Sequence, residues 1–239
     1  MRKVFLFFLM LGALRSQAQL GISGSYNQWH TPDWLTIVEQ YTTTNQTVDG
    51  FYRNGSKLSV DYWFRLKNVR IEFHPEVGLS QVKADWTDIP GLPYLLQSRT
   101  IHFQWNTNIY LFDFFGDCDC PTFSKSEPFL KKGFFVQISP GINLQQHQVF
   151  ENGIDEAIQS ADNTAYSLAA GIGLDIGVAR FLTITPYVKG WYYFNTDWQD
   201  FRDIAPFKVD VPDGERQGPA PTDHYWLEAG LRLGIRWRQ

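Results

Sequence analysis

The stretch from Lys57 to Ser80, "KLSVDYWFRLKNVRIEFHPEVGLS", alternates apolar and polar residues on both sides of Lys67-Asn68. The polar positions carry many charges, namely Lys57, Asp61, Arg65, Arg70, Glu72 and Glu76. Successive side chains of a β-strand point to opposite faces of a sheet, so this alternation predicts two strands joined by a tight turn. One face of the predicted hairpin is apolar, and the other is strongly charged.

The same alternation returns in further segments along the chain. They are residues 20–29, 100–111, 134–145, 165–178, 182–195 and 225–237. With the hairpin they make eight predicted strands, and most are longer than the roughly 5–6 residues usual in soluble sheets. Their length fits the roughly 9–11 tilted residues that cross a bilayer. Pro75, Pro140 and Pro186 fall on apolar faces, and we interpret them as local bulges or kinks because proline removes a ladder hydrogen bond.

Two architectures produce such alternation: a soluble β-sandwich or lipocalin-like barrel, and a membrane-spanning β-barrel. A soluble protein places its apolar faces inside, which does not readily explain uninterrupted apolar faces on nearly every strand. Aromatic residues are 16% of the chain, and Tyr and Trp near strand ends fit the interfacial girdles of a membrane barrel. The sequence therefore predicts an all-β fold, an eight-stranded antiparallel up-and-down transmembrane β-barrel with long extracellular loops.

The N-terminus, "MRKVFLFFLMLGALRSQAQL", has two cationic residues before an apolar run from Val4 to Leu14 and small residues before Gln19. This is the layout of a secretory signal peptide, and the run is too short for a membrane-spanning helix, which needs about 20 apolar residues. We therefore expect residues 1–18 to be a signal peptide and residues 19–239 to form one barrel domain. The formal net charge of −4 argues against a general nucleic-acid role.

The predicted connections differ in length between the two ends of the barrel. With the N-terminus in the periplasm, the outward connections are about 31–55, 84–98, 147–163 and 197–222, all long and polar. The inward connections are Lys67-Asn68, about 113–132, and Ala179-Arg180. Long loops outside and short turns inside are the rule for outer-membrane barrels. The exception is 113–132, which faces the periplasm in this topology and is the main departure from a minimal barrel.

Together these features resemble the small outer-membrane β-barrel proteins of Bacteroidota, a broad group that includes OmpA-like and PorT-like barrels. The resemblance rests on the signal ending in Gln17-Ala18-Gln19, the eight alternating strands and the last strand, "LEAGLRLGIRWRQ". It implies export, assembly by the outer-membrane insertion machinery and an outer-membrane location. Trp237 resembles the terminal aromatic residue read by that machinery, although Arg238 and Gln239 follow it here. Members of the group have diverse roles, so the resemblance assigns no functional residue.

The interior of an eight-stranded barrel has room only for its own side chains. We predict that paired charges fill it, because buried charges are tolerated only when they are paired or hydrogen-bonded. The predicted lumen network comprises Arg65, Arg70, Glu72, Glu228, Arg232 and Arg236. It favours a closed lumen over a porin-like channel, and a proton or ion path is the alternative. His74 and His102 also point inward, where we expect them to be hydrogen-bonded lumen residues.

The two cysteines of the chain, Cys118 and Cys120, lie in the stretch "FFGDCDCPTFSK" of the long inward connection. Four interpretations are open: a strained local disulfide, two thiolates for a soft metal, a bond to a partner protein, and two unreactive thiols. A four-ligand zinc site is disfavoured, since no histidine lies nearby and no second cysteine pair exists. The periplasm is oxidising, and we favour the local disulfide over the partner bond. We expect no cofactor.

These observations favour a non-enzymatic barrel that acts as an anchor, binding or assembly partner through its outer loops and the 113–132 connection. Expected partners are outer-membrane lipid, the insertion machinery and a periplasmic protein, with Lys125, Lys131 and Lys132 as candidates for contact with anionic head groups. The alternative is a small barrel enzyme acting on outer-membrane lipid or peptides at the outer rim. Its candidate catalytic residues are His30, Asp33, Asp85, His147, Asp223 and His224, although no local signature marks a serine nucleophile.

Overall fold

The computed structural model of the chain describes residues 19–31, 53–66, 69–85, 94–114, 129–151, 156–179, 181–196 and 222–236. The strands in these ranges are β1 (Gln19–His30), β2 (Asn54–Arg65), β3 (Ile71–Asp85), β4 (Tyr94–Ile109), β5 (Phe134–Glu151), β6 (Ala157–Leu174), β7 (Ile176–Ala179), β8 (Leu182–Thr196) and β9 (Thr222–Arg236). A short helix, α1 (Phe129–Gly133), precedes β5. Within these ranges, no helix is long and apolar enough to cross a membrane.

Antiparallel pairing closes these strands into a barrel. Consecutive strands from β1 to β6 pair with one another, β9 pairs with both β1 and β8, and β6 pairs with β8 from Tyr166↔Phe194 to Gly173↔Tyr187. β6 and β7 form one crossing that is interrupted at Asp175, after which β7 continues along β8. The barrel therefore has eight crossings, and the predicted antiparallel up-and-down barrel is confirmed.

The register of the strands persists through the prolines. β3 pairs with β4 in one register from Ile71↔Ile109 to Asp85↔Leu95, and Pro75 lies within it. On the β2–β3 and β4–β5 sides, the ladder skips two residue pairs beside Pro75 and Pro140 and then resumes in the same register. Pro186 pairs directly with Leu231. The interpretation as bulges is therefore wrong, because each proline leaves the register unchanged, and the alternative of local kinks stays a prediction.

The outer surface of the barrel carries a continuous apolar belt. On β9, alternate residues from Tyr225 to Ile235 point outward, and Leu227 and Leu231 are 57% and 56% exposed. Ten residue steps of about 3.4 Å, tilted by roughly 40°, give a height of about 26 Å, close to the roughly 25 Å apolar band of outer-membrane barrels. Exposed aromatic side chains border the belt: Tyr26, Tyr166, Tyr192, Phe194 and Tyr225 at one end, and Phe112 and Phe181 at the other. An exposed apolar surface of this extent fits contact with lipid rather than water.

Strands β3–β6 continue past the belt at the end where the long connections begin, which we call the outer end. There the pattern inverts, and the inward-facing Val82, Leu96 and Val149 are almost fully buried. Most outward-facing positions are polar, namely Gln81, Lys83, Gln97, Arg99, Gln148 and Ser160, while the half-buried Leu95 and Phe150 also face outward. We call residues 81–85, 94–99, 146–151 and 157–163 the outer extension. The expected connections 84–98 and 147–163 are therefore wrong in part, because much of each is paired strand.

Candidate functional site

Charged side chains fill the middle of the lumen around Lys57. Its Nζ lies 2.7 Å from Glu76 Oε1 and 3.6 Å from Glu228 Oε1, and it donates a hydrogen bond of 2.9 Å to Gln104 Oε1. Glu228 also accepts hydrogen bonds of 2.6–2.9 Å from Ser25, Tyr187 and Trp191. Lys57 and Glu228 are 3% and 0% exposed. Buried charges are stable only when partners of this kind satisfy them.

A second ion pair lies nearer the inner end of the lumen, the end with the Lys67-Asn68 turn. Arg232 donates two hydrogen bonds to Asp61, from Nε to Oδ2 and from Nη2 to Oδ1, both 2.7 Å long. His74 Nδ1 lies 3.4 Å from Asp61 Oδ1. A Cβ at Gly21 of the neighbouring β1 would collide with both Asp61 and Arg232. The absence of a side chain at Gly21 therefore leaves the space that this ion pair occupies.

The buried Arg70, just before β3, joins the two ends of the long inward connection. Its guanidinium Nη1 contacts the carboxylate of Asp113 and the carbonyl oxygen of Lys132. Its backbone N donates to the carbonyl oxygen of Phe114 at 2.8 Å. Because Phe114 and Lys132 flank residues 115–128, one arginine fixes where that segment leaves and re-enters the barrel. We call this set of contacts the Arg70 clamp.

Tyr110, just beyond the inner end of β4, packs against the Arg70 clamp. The Arg70 guanidinium carbon lies 3.8 Å from the centre of the Tyr110 ring. The Tyr110 hydroxyl contacts Asp175 and lies 2.9 Å from Glu72 Oε2. The phenol is the hydrogen-bond donor in these contacts, because a carboxylate oxygen can only accept. The inner end of the lumen is thus filled by hydrogen-bonded side chains.

A small cavity lies between the charged side chains in the middle of the lumen. Its volume is about 20 Å³, it is bordered by Asp61, Glu76 and Lys189 among others, and it holds about one water molecule. Three cations, Lys57, Lys189 and Arg232, lie among the carboxylates of the middle lumen, namely Asp61, Glu76 and Glu228, and Asp175 borders the same cavity. Cations and carboxylates thus lie side by side in the described middle of the lumen, and the closed lumen stays a prediction.

Aromatic rings pack across the outer end of the lumen. Trp29, Tyr193, His224 and Trp226 are all buried. The Tyr193 and His224 rings stack with their centres 4.6 Å apart, and Trp29 meets Trp226 edge-on at 4.1 Å. Such aromatic pairs contribute about 0.5–1.5 kcal/mol each beyond their buried area. This aromatic cluster separates the charged lumen from the outer end.

The residues predicted for the lumen network take different places. Glu228 and Arg232 lie in the middle of the lumen, and Arg70 lies 3.7 Å from Glu72 at the inner end. Arg65 is half-buried at the end of β2, where its Nε donates to the Leu66 carbonyl at 3.4 Å. The side chain of Arg236 lies outside the described residues, so the network of six stays a prediction. The described ion pairs also use Lys57, Asp61 and Glu76.

Three of the six candidate catalytic residues of the outer rim have described side chains, and these three do not share one face of the barrel wall. His147 and His224 face the lumen and are buried, with His224 against Tyr193. His30 faces outward, with its ring 4.5 Å from that of Tyr225. Several predicted residues lie outside the part of the chain that the structure describes. They are Asp33, Cys118, Cys120, Lys125 and the side chains of Asp85 and Asp223.

The two histidines predicted to point inward, His74 and His102, have hydrogen-bond partners. His102 Nδ1 and Nε2 each form a hydrogen bond of 2.7 Å, with Asn143 and Ser80 respectively. His74 Nε2 lies 3.1 Å from Asn108 Nδ2. In the described ranges, no group of three or more His, Cys, Asp or Glu residues is arranged to hold a metal ion.

The barrel, its apolar belt and its charged, filled lumen define the class of this protein. In lipid, every backbone hydrogen bond must be made within the protein, and a closed barrel is one of the two structures that achieve this. Long connections at one end, two short turns among the three connections at the other and an apolar band of this height are typical of outer-membrane barrels. The chain is a β-barrel of the bacterial outer membrane.

Comparisons with known proteins give structural similarity without sequence similarity. No family model and no curated protein matches the sequence. The chain is similar to Neisserial surface protein A, with 9% identity and a TM-score of 0.44 over 93% of this chain and 98% of that one. Ail, the attachment invasion locus protein of Yersinia pestis, gives 8% identity and a TM-score of 0.41 over 92% and 98%. The N-terminal barrel domain of Pseudomonas aeruginosa OprF is 9% identical, with a TM-score of 0.35 over 92% of this chain and 98% of that one.

Proposed function

We propose that this protein is a non-enzymatic outer-membrane anchor that presents its two ends to binding or assembly partners. The outer loops form one such surface, and the 113–132 connection forms the other. The lumen supports the proposal, because buried ion pairs and a cavity with room for about one water molecule occupy its described middle part. The buried positions of His147 and His224 give no support to a lipid-facing catalytic rim.

The Arg70 clamp is the observation that carries this proposal. Closure of a barrel needs only a short inward turn, and a longer loop adds a modest entropic cost without any need for anchoring. Here a buried arginine, 3% exposed, contacts both Asp113 and Lys132 and so fixes both ends of the connection. A loop held at both ends loses less conformational freedom on binding, which favours a partner-binding role. We propose that this end faces the periplasm and a periplasmic protein.

Thiol labelling tests the orientation. Cys118 and Cys120 are the two cysteines of the chain, and both lie between the clamped ends. After reduction, a membrane-impermeant maleimide should label them only once the outer membrane has been opened. A cysteine introduced at an outer loop, for example Asn45→Cys in a cysteine-free background, serves as the control and should react in intact cells. Labelling of Cys118 or Cys120 in intact cells would overturn the proposed topology.

Cross-linking in living cells tests the partner. A photo-reactive residue placed between 115 and 128 should give a defined cross-linked product in the native chain. Arg70→Gln should weaken that product, because the substitution removes the charged clamp. Arg53→Gln is the control, since it removes an exposed cation at the outer end of the barrel, away from the connection. Equal cross-linking in all three chains would contradict a role for the clamped connection.

A further inference from the structure

A groove lies on the outer wall of the barrel where the apolar belt meets the outer extension. Its volume is about 1110 Å³, and it crosses strands β2–β6. Leu58, Leu79, Ile101 and Leu144 form its apolar row, and register links them as direct cross-strand neighbours. The groove therefore continues the lipid-facing belt.

A polar row follows one step higher on the same outward face. Ser56, Gln81, Arg99, Gln146 and Asp162 are again direct cross-strand neighbours, and all line the groove. The groove thus spans the depth at which lipid tails give way to head groups. Its lining combines an apolar side with amide, hydroxyl and guanidinium groups.

Two exposed cations sit side by side at the head-group depth. Arg99 pairs with Gln81, and Lys83 pairs with Gln97, so Lys83 and Arg99 are diagonal neighbours on one face. Diagonal neighbours of a sheet lie about 7–8 Å apart, a spacing that lets one phosphate contact both. With its amide oxygen turned toward Arg99, Gln97 accepts hydrogen bonds of 2.5 Å from Nε and 3.0 Å from Nη2. Gln97 therefore holds the guanidinium close to the wall.

We propose that this groove binds a phosphorylated glycolipid of the outer leaflet. The phosphate lies between Lys83 and Arg99, and the acyl chains lie along the leucine and isoleucine row. The amides of Gln81 and Gln146 offer donors and acceptors to sugar hydroxyls, which a simple phospholipid lacks. Asp162 lies two strands from Arg99 in the same row, about 10 Å away, where its carboxylate accepts a hydroxyl rather than contacting the phosphate. This assignment of the leaflet rests on the orientation given under the proposed function.

Lipid binding by the purified, folded chain in detergent tests the proposal. Native mass spectrometry should show retention of lipid A and much weaker retention of lipid A without its phosphates. A chain with both Lys83→Gln and Arg99→Gln should bind lipid A at least about tenfold more weakly, the loss expected for a charge-assisted contact. The same chain should no longer distinguish the two lipids. Heat-modifiable migration on gels shows that each variant is folded.

Arg53→Gln provides the matched control. Arg53 is exposed at the outer end, and its backbone carbonyl, not its side chain, bonds to Trp29. This variant should bind lipid A within about twofold of the native chain, because its side chain lies outside the groove. Equal loss in Arg53→Gln would show a general charge effect and overturn the site. Equal retention of phosphatidylglycerol and lipid A would contradict the assignment of the ligand as a glycolipid. Lipid binding in detergent does not depend on how the barrel is oriented in the membrane. A failure of the lipid-binding experiment can therefore be distinguished from a failure of the topology tested by thiol labelling.

Discussion

The apolar belt and the outer extension share strands β3–β6, but the distribution of apolar and polar residues between the two faces differs. In the belt, Leu231 faces out and is 56% exposed, while Glu228 faces in and is fully buried. In the outer extension, Ser160 faces out and is exposed, while Val149 faces in and is fully buried. The strands keep their alternation across this boundary. In the belt the outward face is apolar, and in the outer extension it is mostly polar.

The solvent on the outer side explains the inversion. Lipid makes an apolar outer face favourable, so the polar groups of the belt must find partners inside. Water beyond the belt makes a polar outer face favourable, and apolar side chains then gain about 25 cal/mol per Å² by turning inward. The position along the strands at which the polar face changes from inward to outward therefore marks the edge of the bilayer. The following substitutions test that boundary, beginning with the largest expected effect.

Loss of the buried carboxylate in the belt should have the largest effect. Glu228→Ala leaves Lys57 with less compensation and removes the acceptor of Ser25, Tyr187 and Trp191. Breaking a buried ion pair costs about 3–5 kcal/mol, so unfolding in urea should begin at a clearly lower concentration. Glu228→Gln keeps an acceptor oxygen and should lose less. Equal stability of Glu228→Ala and the native chain would contradict a charge-paired lumen.

A charge on the lipid face should have the next largest effect. Leu231→Arg places a guanidinium near the middle of the belt on β9, where the outer face meets hydrocarbon. Arginine at this depth costs about 2–4 kcal/mol, measured as the free energy of unfolding in lipid vesicles. Leu231→Ala keeps the position apolar and should cost less. If Leu231→Arg matched Leu231→Ala, the belt would not face lipid.

Truncation of a buried side chain in the outer extension should have an intermediate effect. Val149→Ala removes two methyl groups from a fully buried, inward-facing position. Each buried methylene contributes about 0.8 kcal/mol, so the loss should be about 2 kcal/mol once the cavity is included. Unfolding in urea measures it. An unchanged free energy of unfolding would show that this inward face is not packed. Burial of apolar side chains would then not explain the inverted pattern.

The sequence alone predicted the belt because its signal is redundant. Eight segments repeat the same two-residue period with an apolar face, and each segment supports the others. The outer extension was predicted as connections for a physical reason. Around Gln97 and Gln148, polar residues face outward as in any solvated strand, and the apolar inward residues are few, so the pattern resembles an ordinary polar loop.

The site followed from the sequence only in part. Alternation placed Glu228 and Arg232 on the inward face, but it gave no register between distant strands. The partners of these residues, Lys57 and Asp61, come from strands far away in the chain, and their pairing depends on how the barrel closes. Asp113 and Lys132 lay in a connection without periodicity, so nothing in the sequence linked them to Arg70.

A charge on the outer face of the outer extension should have the smallest effect. Ser160 faces outward on β6, six residues above Tyr166, which borders the belt. At about 3.4 Å per residue and a tilt of roughly 40°, Ser160 stands about 16 Å above that border, in water. Ser160→Arg should therefore change the free energy of unfolding in lipid vesicles by less than about 0.5 kcal/mol, as surface substitutions do. It carries the same new side chain as Leu231→Arg, so the difference between the two variants measures the change of solvent along the wall. A loss of about 2 kcal/mol or more for Ser160→Arg would place the bilayer boundary beyond the outer extension, and the inversion of the pattern would then need a cause other than water.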